Sequence, residues 1–193
     1  MALVLNEKQE YRFKLCLLGY YSVGKSSILR QYISNSFDPH EESTIGGAFT
    51  SKKINYKNQI VTFDIWDTAG QERYNSLAPM YYRNANASLI VFDITSLESF
   101  SVAQNWVAQL KSEDPKMLLI LIGNKCDLDE NRQVSEQEIF KYSQDNNLVY
   151  YETSAKTKFN IENVFSKINE LLPREPTMKE NKVFSKKKKY VCC

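Results

Sequence analysis

No stretch of this 193-residue chain stays apolar for the roughly 20 residues that a membrane-crossing helix needs. Cysteine is scarce too, with four in all. They are too few and too unevenly placed for a disulfide framework: Cys16 falls in a strand pattern, Cys126 in a loop, and Cys192 and Cys193 stand last. Without a secretory signal, that usage points to a reduced cytosolic setting. Residues 1–8 have no basic region and too short an apolar stretch for a signal peptide, and Ala2 in place of glycine gives no myristoylation signal. The one histidine, His40, has no Ser or Cys partner arrangement and reads as a solvated loop residue. What is present is ordinary for a soluble globular protein, 42% hydrophobic and 25% charged, and long enough to bury a core without staples.

The net charge of +2 hides an asymmetry. From Arg174 onward seven basic residues face two acidic ones, which leaves a mildly acidic body of net −3. A basic tail on such a body suits an anionic surface. A nucleic-acid-binding fold more often spreads its cations over a packed face, so no nucleic-acid partner is expected.

The pattern alternates. Strands are expected near 13–18, 47–56, 60–66, 87–93, 117–123 and 148–152, and helices near 25–34, 99–111, 135–146 and 160–172. Residues 87–92 and 117–122 are continuously apolar, as in strands buried on both faces of a mostly parallel sheet. Residues 54–63 read as a hairpin with Lys57 and Asn58 in its turn. The expected fold is α/β, a doubly wound six-stranded sheet with one antiparallel edge strand, whose ligand crevice lies at the carboxyl ends of the strands. Trp106 is expected to pack. Residues 1–11 read as an extension, 12–172 as the folded domain, and 173–193 as a disordered tail.

Gly19, Tyr20, Tyr21, Ser22, Val23, Gly24, Lys25 and Ser26 follow the first strand and open the first helix. In that context Ser22 to Ser27 form a cradle of backbone N–H groups for phosphates at a helix N-terminus. Lys25 reaches the β- and γ-phosphates and Ser26 ligates Mg²⁺. Asp67, Thr68, Ala69, Gly70 and Gln71 follow the third strand. Asp67 is placed to hold Mg²⁺ through a water, Gly70 to bring its N–H to the γ-phosphate, and Gln71 to orient an attacking water. Asn124, Lys125, Cys126 and Asp127 follow the fifth strand: the Asp127 carboxylate suits the N1–H and amino group of guanine, the Lys125 stem lies along the base, and Asn124 ties the loops. Ser154, Ala155 and Lys156 add a backbone donor for the guanine O6.

In that order these segments resemble a Ras-superfamily small GTPase over residues 12 to 172. The resemblance implies a first switch in which Thr44, preceded by Ser43, binds Mg²⁺ and the γ-phosphate in the GTP state, and an aromatic, Phe37, against the base. Ile45, Gly46, Gly47, Ala48 and Phe49, with Trp66, Gly70 to Tyr74 and Tyr81 to Ala85, resemble the Rab family, and residues 76–82 its early-endosomal branch. That likeness implies an effector surface of Phe49, Trp66 and Tyr81. It also implies a monomer working with a guanine-nucleotide exchange factor, a GTPase-activating protein, a GDP-dissociation inhibitor and GTP-dependent effectors. Cys192 and Cys193 match the doubly geranylgeranylated Rab terminus. With Lys186 to Lys189 they supply two lipids and a polybasic patch, enough to hold the cytoplasmic face of endosomes or vesicles while cycling with the cytosol.

Tyr21 departs from the pattern, standing where Ras-like relatives carry glycine and Rabs usually serine. Its phenol is expected to crowd Gln71 and an incoming arginine, slowing hydrolysis. The other possibility is that its hydroxyl contacts the γ-phosphate and leaves the chemistry intact. Two further readings stand beside a slow GTPase: a GTP-binding membrane adaptor that has lost efficient hydrolysis, and a P-loop ATP kinase or ATPase.

Overall fold

Side chains alternate across a strand, and the first strand uses both of its faces. In β1 (Gln9–Gly19), Tyr11, Phe13, Leu15 and Leu17 pack one way and Cys16 and Leu18 the other. A strand buried on both faces must sit mid-sheet under helices on either side, and the computed structural model places it there. It describes residues 8–70 and 76–174. The sheet order is β2 (Gly47–Tyr56), β3 (Gln59–Thr68), β1, β4 (Ala87–Asp93), β5 (Leu118–Asn124), β6 (Val149–Glu152), with only the β2–β3 pair antiparallel. This is the expected fold class. Every residue of β4 is buried.

Among the described residues five α-helices cover the sheet. α1 (Lys25–Ser34) and α5 (Ile161–Leu171) close one face, where the Tyr32 and Phe165 rings stack at 3.6 Å. α2 (Ala78–Tyr82), α3 (Leu97–Glu113) and α4 (Glu136–Asp145) contribute to the core on the other. Trp106 packs there, edge-on to Tyr82. Ser96 and Ser135 cap α3 and α4 by accepting from the N–H of Ser99 and Glu138, each three residues on. Lys57 and Asn58 both have positive φ, the two-residue turn that matches the twist of a hairpin.

Two elements differ from expectation. β1 begins at Gln9, because Tyr11 keeps the alternation going and Gln9 to Arg12 pair with Gln59 to Thr62 of β3. α2 was not expected: five residues are too few for a period, and only Pro79 near its start marks it. Among the described residues no helix is long and apolar enough to cross a membrane.

Candidate functional site

A cleft of about 480 Å³ opens at the carboxyl end of the sheet, a volume typical of small-molecule sites. Five stretches of chain meet at it: the loop into α1, residues 37–44, Thr68 at the end of β3 with Gly70 beyond it, the loop after β5 and the loop after β6.

The end of the cleft expected to take phosphate is built on Gly24, the left-handed N-cap of α1. A Cβ there would lie 2.4 Å from Asn124 Nδ2, so both φ and contact demand glycine. Gly70 is as confined, with a Cβ falling 2.3 Å from the Tyr20 carbonyl and 2.5 Å from Lys25 Nζ. Lys25 is buried, donating to the carbonyls of Gly19 (3.1 Å) and Tyr20 (2.7 Å). Burial pulls its pKa down to about 8, against the opposing pull of Asp67. An ammonium desolvated to that extent suits a polyanion.

A phosphate against Nζ favours the charged form, so the bound lysine titrates above the free one. If the cleft seats a phosphate there, its affinity would be level below about pH 8 and fall as pH rises through it, by up to about tenfold per unit. Calorimetry of GDP binding in buffers of different ionisation enthalpy should show proton uptake at about pH 9 and little at about pH 7; equal uptake at both would refute the assignment.

Next to it three oxygens converge. Ser26 Oγ lies 2.5 Å from Asp67 Oδ2 and 2.8 Å from Thr44 Oγ1, and Thr44 Oγ1 is 3.4 Å from the same carboxylate oxygen. Burial raises the Asp67 pKa, while Ser26 and Lys25 oppose the rise. Its Oδ1 is buried without a hydrogen-bond partner among the described residues. Two hydroxyls beside an under-satisfied carboxylate form a hard oxygen donor set that fits Mg²⁺. No group of three His, Cys, Asp or Glu gathers among the described residues, so such a cation would take its remaining ligands from phosphate and water.

The end of the cleft expected to take the base is organised by Asn124, which is buried. Its Nδ2 donates to the Val23 carbonyl (2.8 Å), and its Oδ1 accepts from Thr153 Oγ1 (3.1 Å) and the Ala155 N–H (3.3 Å). One side chain thus joins the phosphate loop to the loops after β5 and β6. Lys125 pairs with Asp93 at 2.6 Å, and Ser154 Oγ donates to Asp127 Oδ1 at 2.5 Å. Phe37, Ser43, Lys125, Asp127, Ala155 and Lys156 line the cleft, as do Ser22, Gly24 to Ser27, Thr44 and Gly70. Val23, Asp67 and Ser154 stand behind that lining and support it. Gln71, Cys192 and Cys193 lie outside the described residues.

The family model for the Ras family matches residues 14–174. The chain belongs to the Ras family. It is 49% identical over 162 residues to a protein of Nicotiana tabacum named Ras-related protein Rab5, an alignment covering 83% of this chain and 81% of that one. The expected Rab assignment, on the early-endosomal branch, is borne out. Ras-family GTPases bind guanine nucleotide and Mg²⁺, which displaces the ATP kinase reading, and neither comparison supports a loss of hydrolysis.

In this Ras-family chain the three aromatics of the implied effector surface are contiguous. Phe49 and Trp66 lie 5.1 Å apart and Trp66 and Tyr81 5.5 Å apart. Phe49 is half exposed, while Trp66 and Tyr81 partly cover the core. Ile45 and Met80 are the most exposed large apolar residues described, at 82% and 71%.

Sequence reasoning missed Glu41. It accepts from Ser27 Oγ (3.0 Å) and from Arg30 Nε (2.9 Å), which pins the loop carrying Glu41 to α1. Arg30 is one helical turn from Ser27, a spacing that puts both on one face, but nothing in the sequence names a partner arriving from an aperiodic loop. His40 is exposed, as expected.

Proposed function

We propose that the chain is a membrane-anchored, GTP-dependent switch of endosomal vesicle traffic that hydrolyses GTP slowly. The observation that carries this reading is the meeting of Thr44 with Ser26 and Asp67. A loop with no regular structure is drawn onto the phosphate end through one hydroxyl, so occupancy there biases where residues 38–46 sit. The name of the tobacco relative supports the endosomal assignment.

In this reading the N–H groups of Ser22 to Ser27 and Lys25 hold the phosphates, while Phe37, Lys125 and Asp127 hold guanine. Ser43, Gly70, Ser154, Ala155 and Lys156 complete the wall. Ser26, Thr44 and Asp67 would hold Mg²⁺, which when bound would supply positive charge against the phosphate oxygens. Gln71 orients the attacking water. The chemistry is positioning and electrostatics, which by themselves are slow: Ras works at order 10⁻⁴ s⁻¹ and is accelerated about 10⁵-fold by an activating protein's arginine. A slow reaction suits a timer. An exchange factor resets it, effectors read Phe49, Trp66 and Tyr81, and a GDP-dissociation inhibitor carries the lipidated protein through the cytosol.

Anchoring falls to Cys192 and Cys193. One lipid binds a bilayer marginally, whereas two lipids beside Lys186 to Lys189 anchor stably. Replacing both cysteines with serine should move the protein from the membrane to the soluble fraction with nucleotide affinity unchanged. Unchanged fractionation would place the anchor elsewhere.

Tyr21 sets the rate in this reading. Its ring lines the cleft beside the phosphate loop and is 48% exposed. A displacement of about 1 Å in a positioned group costs on the order of 100-fold in rate. Tyr21→Ser should therefore hydrolyse GTP several-fold faster in single turnover, most of all with an activating domain added. If it is no faster in either assay, crowding is not what limits this enzyme.

A further inference from the structure

Tyr20 and Tyr21 form one unit, and it is tied to a helix far along the chain. The Tyr20 hydroxyl donates to the Glu98 carboxylate at 2.7 Å, and the Tyr20 and Tyr21 rings pack with centroids 4.3 Å apart at 45°. Glu98 is no loose surface acid. It lies in the first turn of α3, whose start is fixed by the Ser96 cap and whose body buries Phe100, Ala103, Val107 and Leu110. A carboxylate in a helix's first turn is also favoured by the positive end of its dipole. At the other end of the residue, the Tyr20 carbonyl accepts from Lys25 Nζ at 2.7 Å.

Tyr20 is thus held at two points, backbone and ring tip. A phenol hydrogen-bonded to an ionised carboxylate makes one of the stronger side-chain bonds. A tyrosine on an exposed loop would otherwise sample its rotamers freely, at an entropic cost to any single placement. Packing Tyr21 against a ring held at its tip removes much of that freedom.

We infer that Glu98 and Tyr20 are positioning residues that act through Tyr21, clasping its ring at the phosphate mouth of the cleft. The clasp couples α3 to the rate of hydrolysis. This inference rests on the reading in which Tyr21 sets that rate. Opening the clasp frees the ring to swing into solvent and clears space for the attacking water and the arginine of an activating protein. Glu98→Gln keeps an acceptor for the hydroxyl and so keeps the clasp.

The test uses the full chain with fluorotyrosine placed at position 21. ¹⁹F NMR is recorded for wild type, Tyr20→Phe, Glu98→Ala and Glu98→Gln, with single-turnover GTP hydrolysis measured with and without an activating domain. Tyr20→Phe and Glu98→Ala should shift and sharpen the fluorine signal and speed activated hydrolysis several-fold. Glu98→Gln should resemble wild type in both. The gain from Tyr20→Phe should vanish when Tyr21→Ser is also present, an epistasis that general loosening of the loop would not produce. An unchanged fluorine signal in Glu98→Ala overturns the clasp, whatever the rates. If the signal moves while the rates do not, and Tyr21→Ser is no faster, the clasp stands as geometry, but its coupling to hydrolysis fails together with the crowding reading.

Discussion

Asp127→Asn should exchange guanine for xanthine as the preferred base, with GDP affinity falling on the order of a thousand-fold. A carboxylate accepts from both the N1–H and the amino group of guanine, and a hydrogen bond to a charged group contributes about 1.5–3 kcal/mol. Two such bonds amount to about 3–6 kcal/mol, and sites that depend on paired bonds reject analogues lacking them by about 10⁴-fold or more. The neighbour makes the direction definite. Ser154 Oγ donates to Asp127 Oδ1, and in the variant it would hold the amide oxygen in that place. The new NH₂ then faces the guanine amino group, donor against donor, whereas xanthine offers a carbonyl there. Displacing a fluorescent nucleotide with GDP and with XDP gives the two affinities. Retained GDP preference would show that Asp127 does not read the base.

The second large effect is expected at Asn124. Asn124→Ala removes one side chain and leaves the Val23 carbonyl, the Thr153 hydroxyl and the Ala155 N–H without their shared partner. Each buried group left unpaired costs about 1–3 kcal/mol, against a total stability of about 5–15 kcal/mol for a typical domain. The loop into α1 and the loops after β5 and β6 also lose the one side chain among the described residues that bonds all three. The purified variant should carry little nucleotide, bind GDP at least on the order of a thousand-fold more weakly, and melt several degrees lower. The melting difference should widen when GDP is added, because ligand stabilisation follows occupancy. A variant that still copurifies with stoichiometric nucleotide would remove Asn124 from this role.

Much of the fold was legible because its signals are local. Apolar runs and helical periods are complete within a few residues, as in residues 87–92 and 117–122, although the alternation of Tyr11 with Phe13 that carries β1 back to Gln9 was missed. Lys57 and Asn58 mark the hairpin by residue type. The nucleotide segments were legible for a related reason. Each is a short contiguous run whose residue types are set by direct contact with phosphate or base, so each is written whole in the sequence. The five residues of α2 were not, because a helix that short is held by the burial of Ala78 and Tyr82 rather than by a pattern of its own.

By itself, then, the sequence determined the α/β sheet, the order of the nucleotide-binding segments, the Ras-family membership and the basic tail ending in Cys192 and Cys193. Tertiary structure alone decided how those segments are joined. It brought Thr44 to Ser26 and Asp67, Glu41 to Ser27 and Arg30, and Asn124 to Val23 across 101 residues. It also set Tyr20 against Glu98 at a separation of 78 residues. The physical reason is that a polar side chain's partner is chosen by what the packed sheet places within about 3 Å of it, and that choice leaves no periodic trace in the chain.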